Sequence, residues 1–317
     1  MKKLFYKILI LLIPVIIYLV FVLVVDPFNY FGISDFIPLN IKRSVAYIEN
    51  PALFNLIHFN RNPSENITIS DSRFADKDLP LIESQTGFKF AELYIFDGMI
   101  KDMISGFWFA NSRVKLKNVY LSINFNNFFI TQRNDLVKSA ETIINDPLMY
   151  AANLNIIKSA FKCLKYDNNS AKDTIYKIPR TDFESNWTRF LSVTEMRYYK
   201  NYSYPQEYLK DLKEIKSYCD KHSINLCFII PPTNVDMQNL IDSNNLKSQK
   251  EMFVRNLAKI SATYDMDFPN TLTYNRELFY DPVHIDKADL TRLFISIVNN
   301  RVNNDSAFIK EYKLKDN

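Results

Sequence analysis

Glycine is scarce in this chain: four residues in 317, at positions 32, 87, 98 and 106. A dinucleotide fingerprint and a phosphate-cradling P-loop both need glycines at close spacing, so neither is encoded. Histidine is equally sparse, with His58, His222 and His284 far apart in the sequence. A metal centre built on histidines needs them at short, fixed intervals, so no metal and no cofactor is expected. Three cysteines, Cys163, Cys219 and Cys227, are an odd number and do not form a disulfide framework. Cys219 and Cys227 could pair in an oxidising compartment, but Cys227 lies in an apolar run that reads as a buried strand, so core or free thiols are expected. A dominant charge is also missing. Without Lys2, Lys3 and Lys7, the 39 basic residues fall to 36 against 35 acidic ones. Phosphate backbones are bound by a concentrated basic face, so no nucleic-acid partner is expected.

What the chain has in quantity is apolar residues, 47% of the total, enough for a sizeable core and against global disorder. The longest uncharged run, residues 8–25, follows the three lysines and ends at Asp26-Pro27. Eighteen such residues in a helix reach across most of a bilayer's hydrocarbon core, and no small-residue cleavage site follows them. The expectation is an uncleaved N-terminal transmembrane helix over 1–25, its N-terminus cytoplasmic and the rest outside, with the membrane lipid bilayer as a partner. The alternative is a signal peptide with a poor cleavage site. Residues 26–63 then read as a juxtamembrane segment, with Phe28, Tyr30 and Phe31 at the lipid interface.

From there strand-like runs at 66–70, 91–96, 119–125 and 225–230 alternate with helix-compatible segments at 73–86, 99–111, 136–144 and 236–241, and a last helix is expected at 287–300. This rhythm predicts an α/β domain over 64–300, a three-layer parallel sheet with helices on both faces. An excursion at 127–205 interrupts it. Residues 147–166 suit a helix and 168–204 are irregular. So long an insertion is either a lid over a binding site or a packing element. Residues 301–317 read as a polar, solvated tail.

The chemistry centres on Ser70-Asp71-Ser72-Arg73, where the first strand stops. Of three Asp-Ser pairs, only this one stands between a strand and a predicted helix, whose free N–H groups would favour an oxyanion formed at Ser72. Alternatively, Ser70 or Asp71 simply caps the helix. A serine nucleophile needs a base, and the base needs an orienting acceptor. His58 and His222 have no carboxylate at useful spacing. His284 has Asp281 three residues before it, with Pro282 between, so Asp281 can reach one ring nitrogen while the other faces a serine.

Serine after the first strand and Asp-x-x-His before the last helix resemble the SGNH (GDSL-type) hydrolase superfamily, whose Gly-Asp-Ser block holds the nucleophile. The resemblance covers residues 64–300 and implies a flavodoxin-like three-layer fold. Its two intermediate blocks correspond here to Gly98 after the second strand and Asn124 after the third. It implies a catalytic triad of Ser72, Asp281 and His284, and an oxyanion hole from the N–H groups of Ser72 and Gly98 and the Asn124 side chain. Asn126 competes with Asn124 for the amide role. Ser70, Arg73, Ser122 and Phe125 depart from the family's blocks, and Arg73 either binds an anionic substrate or forms a structural ion pair.

With a membrane anchor, the layout resembles extracytoplasmic partners of membrane-bound O-acyltransferases. The implied function is transfer of an acyl group, expected to be acetyl, onto a cell-envelope polysaccharide, with a multi-spanning O-acyltransferase as donor and a glycan as acceptor. The same residues equally serve an anchored esterase or deacetylase of envelope glycans. The third alternative is a non-catalytic glycan-binding or assembly protein that kept the fold.

Overall fold

A computed structural model of the chain describes residues 2–130, 132–166 and 182–313. Part of the stretch expected to be irregular (168–181) and the end of the expected tail (314–317) lie outside the described residues. The helices are, in chain order, α1 (Lys2–Val25), α2 (Leu39–Glu49), α3 (Pro51–Arg61), α4 (Leu79–Thr86), α5 (Ile100–Arg113), α6 (Leu136–Ile144), α7 (Pro147–Ala152), α8 (Leu154–Lys165), α9 (Phe183–Thr194), α10 (Gln206–Lys221), α11 (Val235–Ser243), α12 (Lys247–Ala258), α13 (Thr271–Tyr274) and α14 (Lys287–Val298). The strands are β1 (Asn66–Ser70), β2 (Phe90–Tyr94), β3 (Asn118–Ser122), β4 (Asn225–Ile230), β5 (Ala262–Asp265), β6 (Phe279–Asp281), β7 (His284–Ile285) and β8 (Lys310–Tyr312). The chain divides into two compact units, residues 1–61 with 138–173, and 62–137 with 174–317.

The second unit is an α/β fold. Its sheet runs β2-β1-β3-β4-β5-β8, with the first four pairings parallel and β8 antiparallel to β5. The order 2-1-3-4-5 is the flavodoxin-like doubly wound arrangement, in which the chain reverses direction across the sheet between β1 and β3. Alternation along the strands explains the two covered faces. Tyr120, Cys227, Ile229 and Tyr264 share one buried cluster with Leu290, Leu293 and Phe294 of α14. Ile69 and Leu93 face α5, and a Cβ on Gly106 would stand 3.1 Å from an Ile69 methyl, so the missing side chain lets helix and sheet approach closely. At the opposite end of the strands from the site described below, Asn225 donates to Asn118 (3.1 Å) and Asn118 to Asn66 (2.7 Å).

Several elements differ from the sequence expectation. The expected helix at 73–86 is a single 3-10 turn, Ser72–Phe74, followed by extended chain and then α4. Asp76 takes a left-handed φ of 59°, and α4 has its own cap, the Asp78 carboxylate accepting from the Leu81 N–H. β5 and β8 were not expected, and β8 lies within the stretch read as a polar tail. Strands of four and three residues leave too little alternation to detect.

The first unit corrects the membrane expectation. Among the described residues no helix is long and apolar enough to cross a membrane. α1 does form, but its end packs onto protein. Val25 belongs to a buried cluster with Ile41, Val45, Ala160 and Cys163, with Phe21 against it, and the Tyr18 hydroxyl donates to the Ala151 carbonyl. The expected interfacial aromatics are packed here as well. Phe28 is buried, and Tyr30 stacks on Tyr150 with ring centres 4.4 Å apart. Asp26, fully buried, accepts hydrogen bonds from the N–H groups of Tyr30, Phe31 and Gly32 and from the Tyr150 hydroxyl. Sequence alone could not show that the last turns of the run pack on protein. All three cysteines are buried and free, and burial pushes each thiol up to about 12.

Candidate active site

The site lies in the second unit, where β1 and β3 end on either side of the reversal point, the place where open α/β sheets bind ligands. β1 ends at Ser70, and Asp71 turns the chain. Its Oδ1 accepts from the Arg73 N–H at 3.0 Å, capping the 3-10 turn that begins at Ser72. Its Oδ2 accepts from the side-chain amides of Asn124 (3.0 Å) and Asn127 (3.3 Å) and lies 3.5 Å from the Arg73 guanidinium. One buried carboxylate therefore caps the serine turn and ties it to the loop after β3. The capping reading and the nucleophile reading of this stretch are compatible, because they fall on adjacent residues.

Asp281 and His284 sit on the short β6–β7 hairpin, directly paired across it. The Pro282 carbonyl accepts from the Asn234 N–H at 2.9 Å, which braces the hairpin against the loop after β4. The hairpin brings His284 to Ser72: Nε2 is 2.9 Å from Ser72 Oγ, and Nδ1 is 2.6 Å from Asp281 Oδ2. The other Asp281 oxygen accepts from the N–H groups of Val283 and His284 at 2.9 and 3.0 Å. An ionised carboxylate only accepts, so Nδ1 carries the proton and Nε2 is left to accept from the serine hydroxyl. Burial pushes the Asp281 carboxyl up, but the imidazole and the two N–H groups outweigh it and hold the group below the usual carboxylate range.

The other residues implied by the resemblance are placed differently. Gly98 closes a turn, its N–H donating to the Ile95 carbonyl at 2.9 Å. A Cβ there would stand 2.8 Å from that carbonyl oxygen, so only glycine fits. Gly98 lines the cleft, but its N–H is already engaged. The Asn124 amide is committed to Asp71, and Asn124 is not among the residues lining the cleft. Asn126 and Asn127 do line it. Asn126 accepts from the Arg73 guanidinium through Oδ1, while its Nδ2 is buried with no partner. Ser72 opens the 3-10 turn, so its N–H is one of the donors that a helix start leaves without an intrahelical partner.

The cleft has a volume of about 450 Å³ and includes Phe96, Phe190, Val193 and Val283 in its walls. One wall comes from the insertion: α9 and the π-helical turn Glu195–Tyr199 after it contribute Arg189, Arg197 and Tyr198. Asp97, in the left-handed region at φ 54°, anchors that turn. It accepts from Arg197 at 3.0 Å and from the Tyr198 hydroxyl at 3.3 Å, while Arg133 binds its carbonyl at 2.7 Å. No local pattern marks Asp97, Arg133, Arg197 or Tyr198 in the sequence, because their meeting depends on how the insertion folds back. His58 and His222 do not line the cleft. No group of His, Cys, Asp and Glu among the described residues is arranged to hold a metal ion.

No protein-family profile matches the chain, and no curated protein does. A solved structure from Streptococcus pneumonia, provisionally described as a platelet activating factor, superposes with a TM-score of 0.38 at 10% identity, over 82% of this chain and 94% of its own. A likeness at that level carries no argument about function, which has to come from the geometry of this cleft.

Proposed function

We propose that this protein is an SGNH-type serine esterase that cleaves a small ester through an acyl-serine intermediate. The observation that carries the reading is the continuous relay Ser72–His284–Asp281, with gaps of 2.9 and 2.6 Å between residues 212 positions apart in the chain. Such a relay does what acyl transfer requires. Ser72 Oγ attacks the ester carbonyl carbon and passes its proton to His284 Nε2. The tetrahedral oxyanion is met by the Ser72 N–H at the start of the 3-10 turn. As it collapses, the carbon–oxygen bond to the alcohol breaks, and His284 returns the proton to the departing oxygen. Water then enters, gives a proton to His284, and attacks the acyl-serine. The acid leaves as Ser72 recovers its proton. Asp281 keeps the imidazole in one tautomer and steadies the imidazolium.

A sugar hydroxyl in place of that water gives O-acyl transfer to a glycan by the same relay. Phe96, 39% exposed at the cleft, supports this second reading, since it offers an aromatic face on which a sugar ring can lie. The membrane helix that favoured transfer does not stand, so hydrolysis comes first.

The test is hydrolysis of p-nitrophenyl acetate and butyrate, together with labelling by a fluorophosphonate. Both are expected in the wild type, and both are expected to disappear in Ser72→Ala. Wild-type protein that neither labels nor turns over these esters or acetylated xylan sinks the enzymatic reading. Acetylated oligosaccharide accumulating at the expense of acetate, when a sugar acceptor is supplied, moves the assignment to transfer.

A further inference from the structure

We infer that Arg189 is a specificity-determining residue: its guanidinium takes the charge of an ester that carries a carboxylate. The inference rests on the acyl-serine reading above and names the class of ester that fits it. α9 and the π-helical turn after it set one stripe of side chains along the cleft: Arg189, Phe190, Val193, Thr194, Arg197 and Tyr198. Adjacent pairs repeated every four residues stay on one side of a helix. In this stripe an apolar patch, Phe190 and Val193, lies between two arginines, and Val193 is 45% exposed.

The three arginines of the cleft are not equivalent. Arg73 stands beside Asp71 and donates to Asn126, with only 10% of its side chain exposed. Arg197 donates to Asp97 at 3.0 Å. Arg189 has no carboxylate within ion-pair reach among the described residues, and it donates to the neutral Asn186 side chain at 3.3 Å. The acids that line the cleft are all engaged: Asp71 by Arg73, Asp97 by Arg133 and Arg197, and Asp281 by His284. An anion entering the cleft therefore meets acids that already have partners and one arginine that lacks an acid. A guanidinium keeps its charge at every working pH, and its paired N–H groups match the two oxygens of a carboxylate. The Phe190 and Val193 surface beside it suits the hydrocarbon part of the same molecule. Arg189 is exposed to solvent, so its pull on an anion is modest and weakens with added salt.

The test uses the full chain and two pairs of esters of similar shape. Mono-p-nitrophenyl succinate carries a carboxylate in its acyl part, where p-nitrophenyl butyrate ends in a methyl group. 4-Acetoxybenzoate carries one in its alcohol part, and its methyl ester does not. In at least one pair, kcat/KM corrected for uncatalysed hydrolysis should be about 10-fold higher for the charged ester, mostly through KM. The pair that responds shows on which side of the ester the charge is read. The preference should collapse in Arg189→Gln, persist in part in Arg189→Lys, and shrink in about 0.5 M NaCl. Arg255→Gln, which removes an exposed charge from α12, should leave it intact. No preference in either pair overturns the inference, and so does a preference that Arg189→Gln spares or that Arg255→Gln removes equally. Ser72→Ala, which cannot form the acyl-serine, gives a reading without turnover. By ligand-observed NMR, the charged member of at least one pair should bind it about 10-fold more tightly, and adding Arg189→Gln should erase the difference. Equal binding overturns the inference even in a protein that cleaves no ester, whereas absence of Ser72-dependent labelling counts against the esterase reading alone.

Discussion

Asp281 shows how much a single carboxylate sets at the residue scale. Asp281→Asn keeps the shape but removes the charge that selects the His284 tautomer, and kcat should fall by about 10³–10⁴-fold with KM little changed, read by steady-state ester hydrolysis. Acid should expose the same carboxylate. Its folded value is depressed, so its stabilisation is complete above the usual carboxylate range and is lost as pH falls through the folded value. The stability gap between wild type and Asp281→Asn in urea should therefore shrink on acidification. Gly98→Ala puts a methyl against the Ile95 carbonyl, and about 1–3 kcal/mol of destabilisation is expected, with a lower melting temperature. Ser72, Asp281 and His284 were legible in the sequence because Asp-x-x-His is local and the serine follows a clear strand. How Asn124 and Asn126 divide between Asp71 and Arg73 was not. It turns on the 3-10 path of residues 125–127, which the order of residues does not reveal.

Among the elements, α14 holds its face of the sheet through one aromatic. Phe294 packs edge-on against Phe74, Phe90 and Tyr120, with ring centres 5.5, 5.2 and 5.1 Å away. Phe294→Ala should cost about 3–5 kcal/mol, seen as a lower urea midpoint. The end of β5 makes an unusual pH prediction. Burial raises the Asp265 carboxyl to about 6, assisted by Asp267 and opposed by Lys250 and Lys310. The folded state then holds more protons than the unfolded chain between about 3.8 and about 6, so stability falls as pH rises through that window. Asp265→Asn, which keeps an oxygen for the Asp267 N–H, should flatten this slope and be the more stable protein at pH 7, measured by urea unfolding at pH 4, 5 and 7. β1 to β4 were visible as alternating or continuous apolar runs. β5 and β8 were not, since each is short and finds its partner only through the sheet.

At the scale of the whole molecule, two compact units predict unfolding that departs from a single transition. Calorimetry should give a van't Hoff enthalpy below the calorimetric one, and Phe294→Ala should move only the transition that carries Ser72 labelling. Residues 8–25 are where sequence and structure differ most: hydropathy alone did not show that the end of this run, Phe21 and Val25, packs on protein. The distance between Ser72 and His284 along the chain has a temporal consequence too. A ribosome releases the serine turn more than two hundred residues before its base, so a nascent or prematurely terminated polypeptide carries an inert hydroxyl. On the proposed acyl-serine reading, reactivity arrives only when the β6–β7 hairpin docks, and a partly made copy cannot attack esters in its surroundings.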